Sequence, residues 1–328
     1  MVDRVLVTRR IPEPGLEIVR KYCDAEVFSP DRAMTREELQ DAVREKDGLL
    51  SLLTDPIDDA LMQSAPKLRV IANYAVGYNN IDVKAATARG IPVTNTPGVL
   101  TDTTADLTFA LLMAIARRIP EGDRFTRDGR FDGWGPMMML GTDVYKKTLG
   151  IIGIGRIGQA VAKRAAGFDM RILYADTQPL DPATEEALHV TRVDLETLLR
   201  ESDYVTLHVP LNDSTHHLIS DNELGLMKST AYLVNTARGP VIDEEALAKA
   251  LQNGEIAGAG LDVFENEPQI DPELYKMDKV ILLPHVGSAS IETRARMATM
   301  AAENLVTALR GNIPPNCINP EVFNTGST

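Results

Sequence analysis

The chain has 328 residues, a formal net charge of −13 at pH 7, 44% hydrophobic residues and 25% charged residues. This length and composition predict a globular protein of two domains, each large enough to bury a core. The negative charge argues against a nucleic-acid partner, which needs a basic face, but one local arginine can still bind an anionic substrate.

Cysteine usage and apolar runs indicate where the protein is found. Cys23 and Cys317 are isolated in the sequence, which is typical of reduced thiols. The first ten residues contain no apolar stretch of the length that a secretory signal needs, and the longest apolar run, about 109–116, is too short to span a bilayer. We therefore expect a cytoplasmic protein with no membrane partner.

Short strands alternate with helices along the first hundred residues. We predict strands at 5–7, 48–53, 68–72 and 91–93, and helices at 15–22 and 35–43. A capping box from Thr35 to Glu38 begins the second helix. This alternation predicts a parallel sheet covered by helices on both faces, and a turn at 96–98 ends the unit.

A second series of strands and helices begins at Lys147. It is preceded by a helix at 102–116 and by a polar, glycine-rich stretch at 121–135 that contains the only tryptophan, Trp134. We predict strands at 148–152, 171–174, 204–208, 231–235, 258–263 and 280–283, helices at 157–166 and 244–252, and a last long helix between 288 and 309.

A glycine motif connects the first strand of this series to its helix. Gly153, Gly155 and Gly158 form G-x-G-x-x-G, which permits a tight turn, a close approach to a pyrophosphate and close packing of helix on strand. Asp176 follows the next strand, where a carboxylate binds the adenosine ribose and repels a 2′-phosphate. The sequence therefore predicts a site for NAD(H), preferred over NADP(H). A solvated loop carboxylate is the alternative for Asp176.

The position of the glycine motif also predicts the fold class. A cofactor domain that began the chain would carry the motif near residue 10, so the first hundred residues form a separate domain. We predict an α/β protein with two doubly wound parallel sheets. A Rossmann NAD-binding domain, 99–287, is inserted into a discontinuous flavodoxin-like substrate domain, 1–98 and 288–328.

Three predicted strands end in residues suited to the reduction of a 2-keto acid. Arg238 can hold the substrate carboxylate and polarise the carbonyl, because a guanidinium stays protonated and binds a carboxylate with two hydrogen bonds. His285 can deliver a proton, and Glu267 can orient the imidazole and favour its protonated form. Taken alone, an arginine in such a loop is more often a surface residue, a histidine beside a proline is usually structural, and Glu267 could be a solvated loop acid; the three together favour catalysis. Ligands of open α/β sheets bind beyond the carboxyl ends of the strands, so all three are expected on the cofactor's side.

The remaining histidines are predicted to have other roles. His208 follows a strand and is interpreted as part of the cofactor pocket, whereas His189, His216 and His217 are expected to be solvated. Glu265 is expected to be a solvated loop acid. No spacing among these residues predicts a metal site.

These motifs together resemble the D-isomer-specific 2-hydroxyacid dehydrogenase family over nearly the whole chain. The resemblance rests on Gly153–Gly158, Asn235–Gly239, Glu267-Pro268 and Pro284–Ala289. Within the family, segments 76–82, 94–97 and 256–264, together with Trp134, are most similar to the glyoxylate/hydroxypyruvate reductase branch. The resemblance implies reduction of glyoxylate, with hydroxypyruvate as a second substrate, by a homodimer.

The resemblance also implies the residues of the site. The catalytic set is Arg238, Glu267 and His285. The cofactor residues are Thr104, Gly153, Gly155, Arg156, Ile157, Gly158, Asp176, His208, Val209, Pro210, Thr215, Thr236, Ala237, Arg238, Asp262, His285 and Gly287. The substrate residues are Leu53, Val76, Gly77, Arg238, His285 and Trp134. In that branch the tryptophan segment reaches the partner's active site, and Met137-Met138-Met139 here is either a flexible apolar wall or packing at the dimer interface.

Other functions remain open at this point. A D-lactate dehydrogenase and a phosphoglycerate dehydrogenase share the resemblance, although the latter often carries a C-terminal regulatory domain. Formate dehydrogenase relatives usually have a glutamine in place of Glu267. A non-catalytic, NAD-sensing scaffold is the alternative from another functional class.

Overall fold

The computed structural model describes residues 2–323, which fold into two compact units. Residues 101–287 form one unit, called here the inserted unit. The described residues on either side, 2–100 and 288–323, form the other, called the flanking unit. Within the described residues, no helix is both long and apolar enough to cross a membrane.

The helices and strands are numbered in chain order. The strands are β1 (Arg4–Val7), β2 (Asp24–Val27), β3 (Gly48–Ser51), β4 (Val70–Asn73), β5 (Val93–Thr94), β6 (Thr148–Ile152), β7 (Arg171–Ala175), β8 (Val190–Arg192), β9 (Tyr204–Leu207), β10 (Tyr232–Asn235), β11 (Gly258–Leu261) and β12 (Val280–Leu282). The helices are α1 (Glu13–Tyr22), α2 (Arg36–Val43), α3 (Asp59–Ser64), α4 (Val83–Ala88), α5 (Thr101–Ala116), α6 (Ile119–Arg127), α7 (Arg156–Ala166), α8 (Pro182–Leu188), α9 (Leu195–Glu201), α10 (Asp221–Leu226), α11 (Glu244–Asn253) and α12 (Ile291–Leu309).

The flanking unit is built on a parallel sheet with the spatial order β2-β1-β3-β4-β5. This is the flavodoxin-like order of a doubly wound sheet. Leu16 of α1 and Leu305 of α12 are buried in the core on one face, and Leu39 of α2 and Leu61 of α3 are buried in the core on the other. Because α12 comes from the far end of the chain, the unit is discontinuous in sequence.

The inserted unit is built on a longer parallel sheet with the order β12-β11-β10-β9-β6-β7-β8. From β8 to β11 this is the strand order of the dinucleotide-binding fold, extended by one strand. Leu112 of α5 and Val161 of α7 pack on one face, and Leu198 of α9 and Leu247 of α11 pack on the other. These two sheets confirm the predicted fold class, in which both domains are doubly wound and one of them is of the Rossmann type.

Local sequence signals account for several element boundaries. The hydroxyl of Thr35 accepts from the Glu38 amide, and the Glu38 carboxylate accepts from the Thr35 amide, which confirms the predicted capping box. The sequence predicts no helix within the polar stretch at 121–135, whereas the structure places its first part in α6. Arg118, the N-cap of α6, makes an ion pair with Glu121 in the first turn of this amphipathic helix.

Candidate active site

Three neighbouring strands of the inserted unit lead into the loops that carry the predicted catalytic residues. Arg238 follows β10, Glu267 follows β11 and His285 follows β12. The three strands are adjacent and parallel, so these loops leave the same edge of the sheet. This edge is where open α/β sheets bind their ligands.

His285 and Glu267 form a hydrogen-bonded pair. Nδ1 of His285 lies 2.9 Å from Oε2 of Glu267, and the two side chains are 27% and 32% exposed. Oε1 of Glu267 accepts a hydrogen bond from the Phe264 amide at 3.1 Å. Burial alone would raise the pKa of Glu267, but His285, the Phe264 amide and Arg238 together lower it. The carboxylate is therefore ionised and fixed beside the imidazole.

Arg238 is held by the loop that follows β10. Its Nη1 donates to the Ala237 carbonyl at 2.7 Å. The buried side chain of Asn235 closes the loop, because it donates to the Arg238 carbonyl at 2.9 Å and accepts from the Ala237 amide at 3.0 Å. Burial lowers the pKa of the guanidinium, and the charge of Glu267 opposes that shift. Arg238 is therefore a partly desolvated cation close to the His285–Glu267 pair.

Asp262 holds the loop that carries His285. Its side chain is 1% exposed, and its two oxygens accept from the amides of Val286 and Gly287, each at 2.7 Å. Burial raises the pKa of Asp262, although the two amides and His285 oppose the shift. His285 itself has a φ of +55°, a left-handed conformation that a histidine rarely adopts and that needs such support.

The glycine motif forms a cradle at the start of α7. Gly153 has a φ of +92°, and a Cβ there would lie 2.8 Å from the backbone of His208. A Cβ at Gly158 would lie 2.2 Å from the Gly153 carbonyl, whereas a Cβ at Gly155, the N-cap of α7, would meet open space. The start of α7 is thus closely packed at Gly153 and Gly158 and open at Gly155, which fits a bound pyrophosphate.

Asp176 lies beside this cradle, at the end of β7. Its carboxylate accepts from the Ile154 amide at 2.8 Å and from the Gln178 amide at 3.1 Å. Arg192 donates to the Asp176 carbonyl at 3.0 Å, so a cation lies near the same loop. The carboxylate is therefore fixed beside the glycine cradle, and its contact with a ribose remains a prediction.

His208 presents a second feature that fits a cofactor. Both ring nitrogens are buried and have no hydrogen-bond partner within the described part of the chain. Burial lowers the pKa of this imidazole to about 3, so the ring is neutral at physiological pH. An unpartnered buried polar group is costly, and a bound ligand that supplies hydrogen bonds would relieve the cost.

The other predicted cofactor residues lie in helices α5 and α7 and in the loops that follow β9, β10 and β12. The hydroxyl of Thr104 donates to the Gly287 carbonyl at 3.2 Å, the hydroxyls of Thr236 and Thr108 are 2.7 Å apart, and the hydroxyl of Thr215 donates to the Pro210 carbonyl at 2.6 Å. The remaining ones are Arg156 and Ile157 in the first turn of α7, Val209 after β9 and Ala237 after β10.

The predicted substrate residues are divided between the two units. In the flanking unit, Val76 and Gly77 lie in the loop after β4. The side chain of Asn95 donates to the Val76 carbonyl and that of Asn73 donates to the Gly77 carbonyl, each at 2.8 Å, so this loop is held rigidly. Leu53 in the same unit is 36% exposed. Trp134, in the inserted unit, is 83% exposed.

Sequence reasoning missed the residues that hold these loops. Three asparagine side chains donate hydrogen bonds to the backbone of loops that carry predicted site residues: Asn73, Asn95 and Asn235. Asn73 and Asn235 are the last residues of their strands, and this position is the only signal that could have identified them.

Comparison with known proteins identifies the family. Residues 109–287 match the family described as "D-isomer specific 2-hydroxyacid dehydrogenase, NAD binding domain". The chain belongs to the D-isomer specific 2-hydroxyacid dehydrogenases. It is thus an oxidoreductase that acts on the CH–OH group of 2-hydroxy acids, with an NAD-binding domain.

Relatives resemble the chain over its full length. The glyoxylate reductase of Korarchaeum cryptofilum is 56% identical over 324 residues, which cover 98% of this chain and 97% of the relative. The crystal structure of the TT0316 protein from Thermus thermophilus has a TM-score of 0.91 at 46% identity, over 96% of this chain and 99% of that one. The NADPH-dependent glyoxylate/hydroxypyruvate reductase of Sinorhizobium meliloti, solved with NADP and malonate, has a TM-score of 0.86 at 33% identity, over 98% of each chain.

Proposed function

We propose that this dehydrogenase is a glyoxylate reductase that uses NADH to form glycolate and that also accepts hydroxypyruvate. The observation that carries the proposal is the His285–Glu267 hydrogen bond, 2.9 Å long, on the sheet edge that also bears Arg238 and the glycine cradle. The choice of glyoxylate is supported by the 56% identical relative, a glyoxylate reductase.

The chain's own residues supply three functions. Arg238 binds the substrate carboxylate and polarises the adjacent carbonyl. Nδ1 of His285 is engaged by Glu267, so Nε2 is the ring nitrogen that delivers a proton to the carbonyl oxygen. Glu267 fixes the ring and stabilises its positive charge until the proton leaves. Bound NADH supplies the hydride that C2 of the keto acid accepts.

We further propose that NAD(H) is preferred over NADP(H). The Asp176 carboxylate is fixed by two backbone amides at the end of β7, where its charge would repel a 2′-phosphate. Arg192 lies at the same loop and partly offsets this repulsion, and the Sinorhizobium meliloti relative uses NADPH. We therefore expect kcat/KM to be higher with NADH than with NADPH, without complete exclusion of NADPH.

A second copy of the chain is proposed to complete the enzyme. Several large apolar side chains of the inserted unit are exposed in the single chain, including Phe131 at 54%, Trp134 at 83% and Met137 at 78%. Exposed apolar patches of this kind mark protein interfaces. We propose a homodimer in which Trp134 approaches the partner's substrate site, with Met138 and Met139 packing behind it. Both cysteines are free thiols, which supports a cytoplasmic location.

A kinetic comparison tests the proposed function. NADH oxidation is measured with glyoxylate, hydroxypyruvate, pyruvate and 3-phosphohydroxypyruvate, and the kcat/KM values are ranked. The highest value with glyoxylate, followed by hydroxypyruvate, supports the proposal. A highest value with pyruvate or with the phosphorylated acid would indicate a D-lactate or phosphoglycerate dehydrogenase, and tight NADH binding without turnover would indicate a scaffold. Light scattering that gives the mass of a single chain would contradict the dimer.

A further inference from the structure

Two adjacent histidines and one glutamate meet on the inserted unit, apart from the catalytic pair. His216 and His217 lie in the loop between β9 and α10, and Glu265 lies in the loop after β11. One nitrogen or oxygen atom from each of the three side chains lies within 4.8 Å of the others. Nε2 of His217 is 2.7 Å from Oε1 of Glu265, and the two imidazole rings are 4.1 Å apart.

The backbone and neighbouring acids fix two of these side chains. The Glu265 amide donates to the Glu244 carboxylate at 2.9 Å, and the second Glu265 oxygen accepts from the Glu244 amide at 3.3 Å. The His217 amide donates to the Pro240 carbonyl at 2.8 Å, and Nδ1 of His217 lies 3.8 Å from an Asp243 oxygen. Partners of this kind orient the ligands of protein metal sites.

The sequence predicts no metal site here and treats Glu265 as a solvated acid. The structure corrects the expectation that Glu265 is solvated, because Glu265 forms hydrogen bonds with His217 and with Glu244. The cluster could not be read from spacing, since 48 positions separate His217 from Glu265. A structural ion pair alone would explain His217 and Glu265, but it gives no role to His216.

We propose that His216, His217 and Glu265 bind one transition-metal ion of the zinc class. Imidazole nitrogens with a carboxylate oxygen suit Zn²⁺, Co²⁺ and Ni²⁺, whereas Mg²⁺ and Ca²⁺ prefer oxygen ligands alone. His216 is exposed and offers the entry path, while His217 and Glu265 are partly buried and already held. Three protein ligands leave a coordination position for water.

The ion would tie together two loops that serve the proposed active site. The loop that carries His216 and His217 also contains Pro210 and Thr215, which are predicted to bind the cofactor. Glu265 precedes Glu267 in the loop after β11. Binding stabilises the folded inserted unit, because a ligand that binds only the folded state shifts the unfolding equilibrium. No step of the reaction passes through the ion.

The test uses tag-free, full-length protein treated with a chelator and then titrated with ZnCl₂ in a calorimeter. We expect one equivalent of Zn²⁺ per chain and an increase in Tm with Zn²⁺ but not with Mg²⁺. We also expect a visible absorption band when CoCl₂ is used. The absence of a stoichiometric Zn²⁺ site would overturn the proposal.

Variants locate the ion. His216→Asn and Glu265→Gln should each weaken Zn²⁺ binding by about tenfold or more. His189→Asn, at another exposed histidine, should leave Zn²⁺ binding unchanged, as should His285→Gln at the catalytic pair. Native Zn²⁺ affinity in His216→Asn would indicate that the cluster is only an ion pair of His217 and Glu265. Loss of Zn²⁺ binding in His285→Gln would indicate that the ion binds at the catalytic pair instead. His216 is exposed, and circular dichroism checks that its variant is folded.

Discussion

The Glu267 carboxylate lies 2.9 Å from Nδ1 of His285, although 18 positions separate the two residues in the chain. The pairing arises because β11 and β12 are neighbouring parallel strands, so the loops that follow them meet at one edge. Orientation of an imidazole by a carboxylate is an arrangement for general acid–base catalysis, and it leads to the first prediction.

His285→Gln is expected to lower kcat for glyoxylate by about 100-fold or more, because glutamine cannot deliver the proton. The Kd for NADH should be nearly unchanged, as measured by fluorescence titration. His189→Asn is the matched control and should retain full activity. A His285→Gln enzyme with more than a tenth of the native kcat would remove His285 as the proton donor.

Arg238→Lys is expected to lower kcat/KM for glyoxylate by about 10- to 100-fold, because lysine keeps the charge but loses the two-point hydrogen bond. The KM for NADH should change little. Arg200→Lys, at an exposed position on α9, is the control. Equal kcat/KM values for native and Arg238→Lys enzymes would exclude Arg238 as the carboxylate ligand.

Asp262→Asn tests whether Asp262 positions His285. The amide group of asparagine would turn a hydrogen-bond donor toward the amide of Val286 or Gly287, so one of the two bonds is lost. We expect a loss of about 1–3 kcal/mol in the free energy of unfolding and a fall in kcat of about tenfold or more. Asp213→Asn, at an exposed position, should change neither quantity. Native kcat and native stability in Asp262→Asn would show that the loop holds its own conformation.

Asp176→Asn is expected to raise the ratio of kcat/KM with NADPH to kcat/KM with NADH by about tenfold or more, because it removes a negative charge from the position proposed for the 2′-phosphate. Arg192 then remains as a cation near that position. Glu186→Gln, at an exposed position on α8, is the control for general charge effects. An unchanged ratio would mean that another group sets the cofactor preference.

Gly15→Ala is expected to destabilise the flanking unit by about 1–3 kcal/mol. A Cβ at Gly15 would lie 2.6 Å from the Ala298 carbonyl of α12, so the two helices would have to separate. Gly225→Ala is the matched control, because its Cβ meets open space and alanine favours a helix. Urea unfolding of the two variants gives the comparison, and equal stabilities would indicate that α1 and α12 can shift without cost.

The long, apolar elements could be predicted from the sequence. The predicted strand at 148–152 is β6, and the predicted helices at 157–166 and 244–252 lie within α7 and α11. Weaker signals were missed: β2 is a four-residue strand with no fully buried residue, and α8 and α9 have only seven residues each. Short elements of this kind are stabilised by packing and by N-caps such as Asp181 and Asp194. The spacing of apolar residues along the sequence does not reveal either contribution.

Motifs that lie close together in the sequence predict the candidate site better than single residues do. The glycine motif and Asp176 lie in one strand-helix-strand unit, so their proximity follows from the chain itself. The roles of Arg238, Glu267 and His285 are predicted from strand ends and remain predictions. The 2.9 Å distance between Glu267 and His285 supports the pairing of those two residues. The contact of Glu265 with His217 depends on side-chain positions in two separate loops, which no sequence pattern encodes.

The position of α12 in the chain has a consequence for synthesis on the ribosome. This helix packs on α1, β3 and β4, but it is translated only after the whole inserted unit. The first part of the flanking unit is therefore translated before the inserted unit and α12 after it, so the inserted unit can fold as a separate domain before the flanking unit is complete. Until residue 309 emerges, the apolar face of β3 and β4 lacks the part of its cover that α12 provides, so a chain that stalls before residue 291 exposes apolar residues that the complete fold buries.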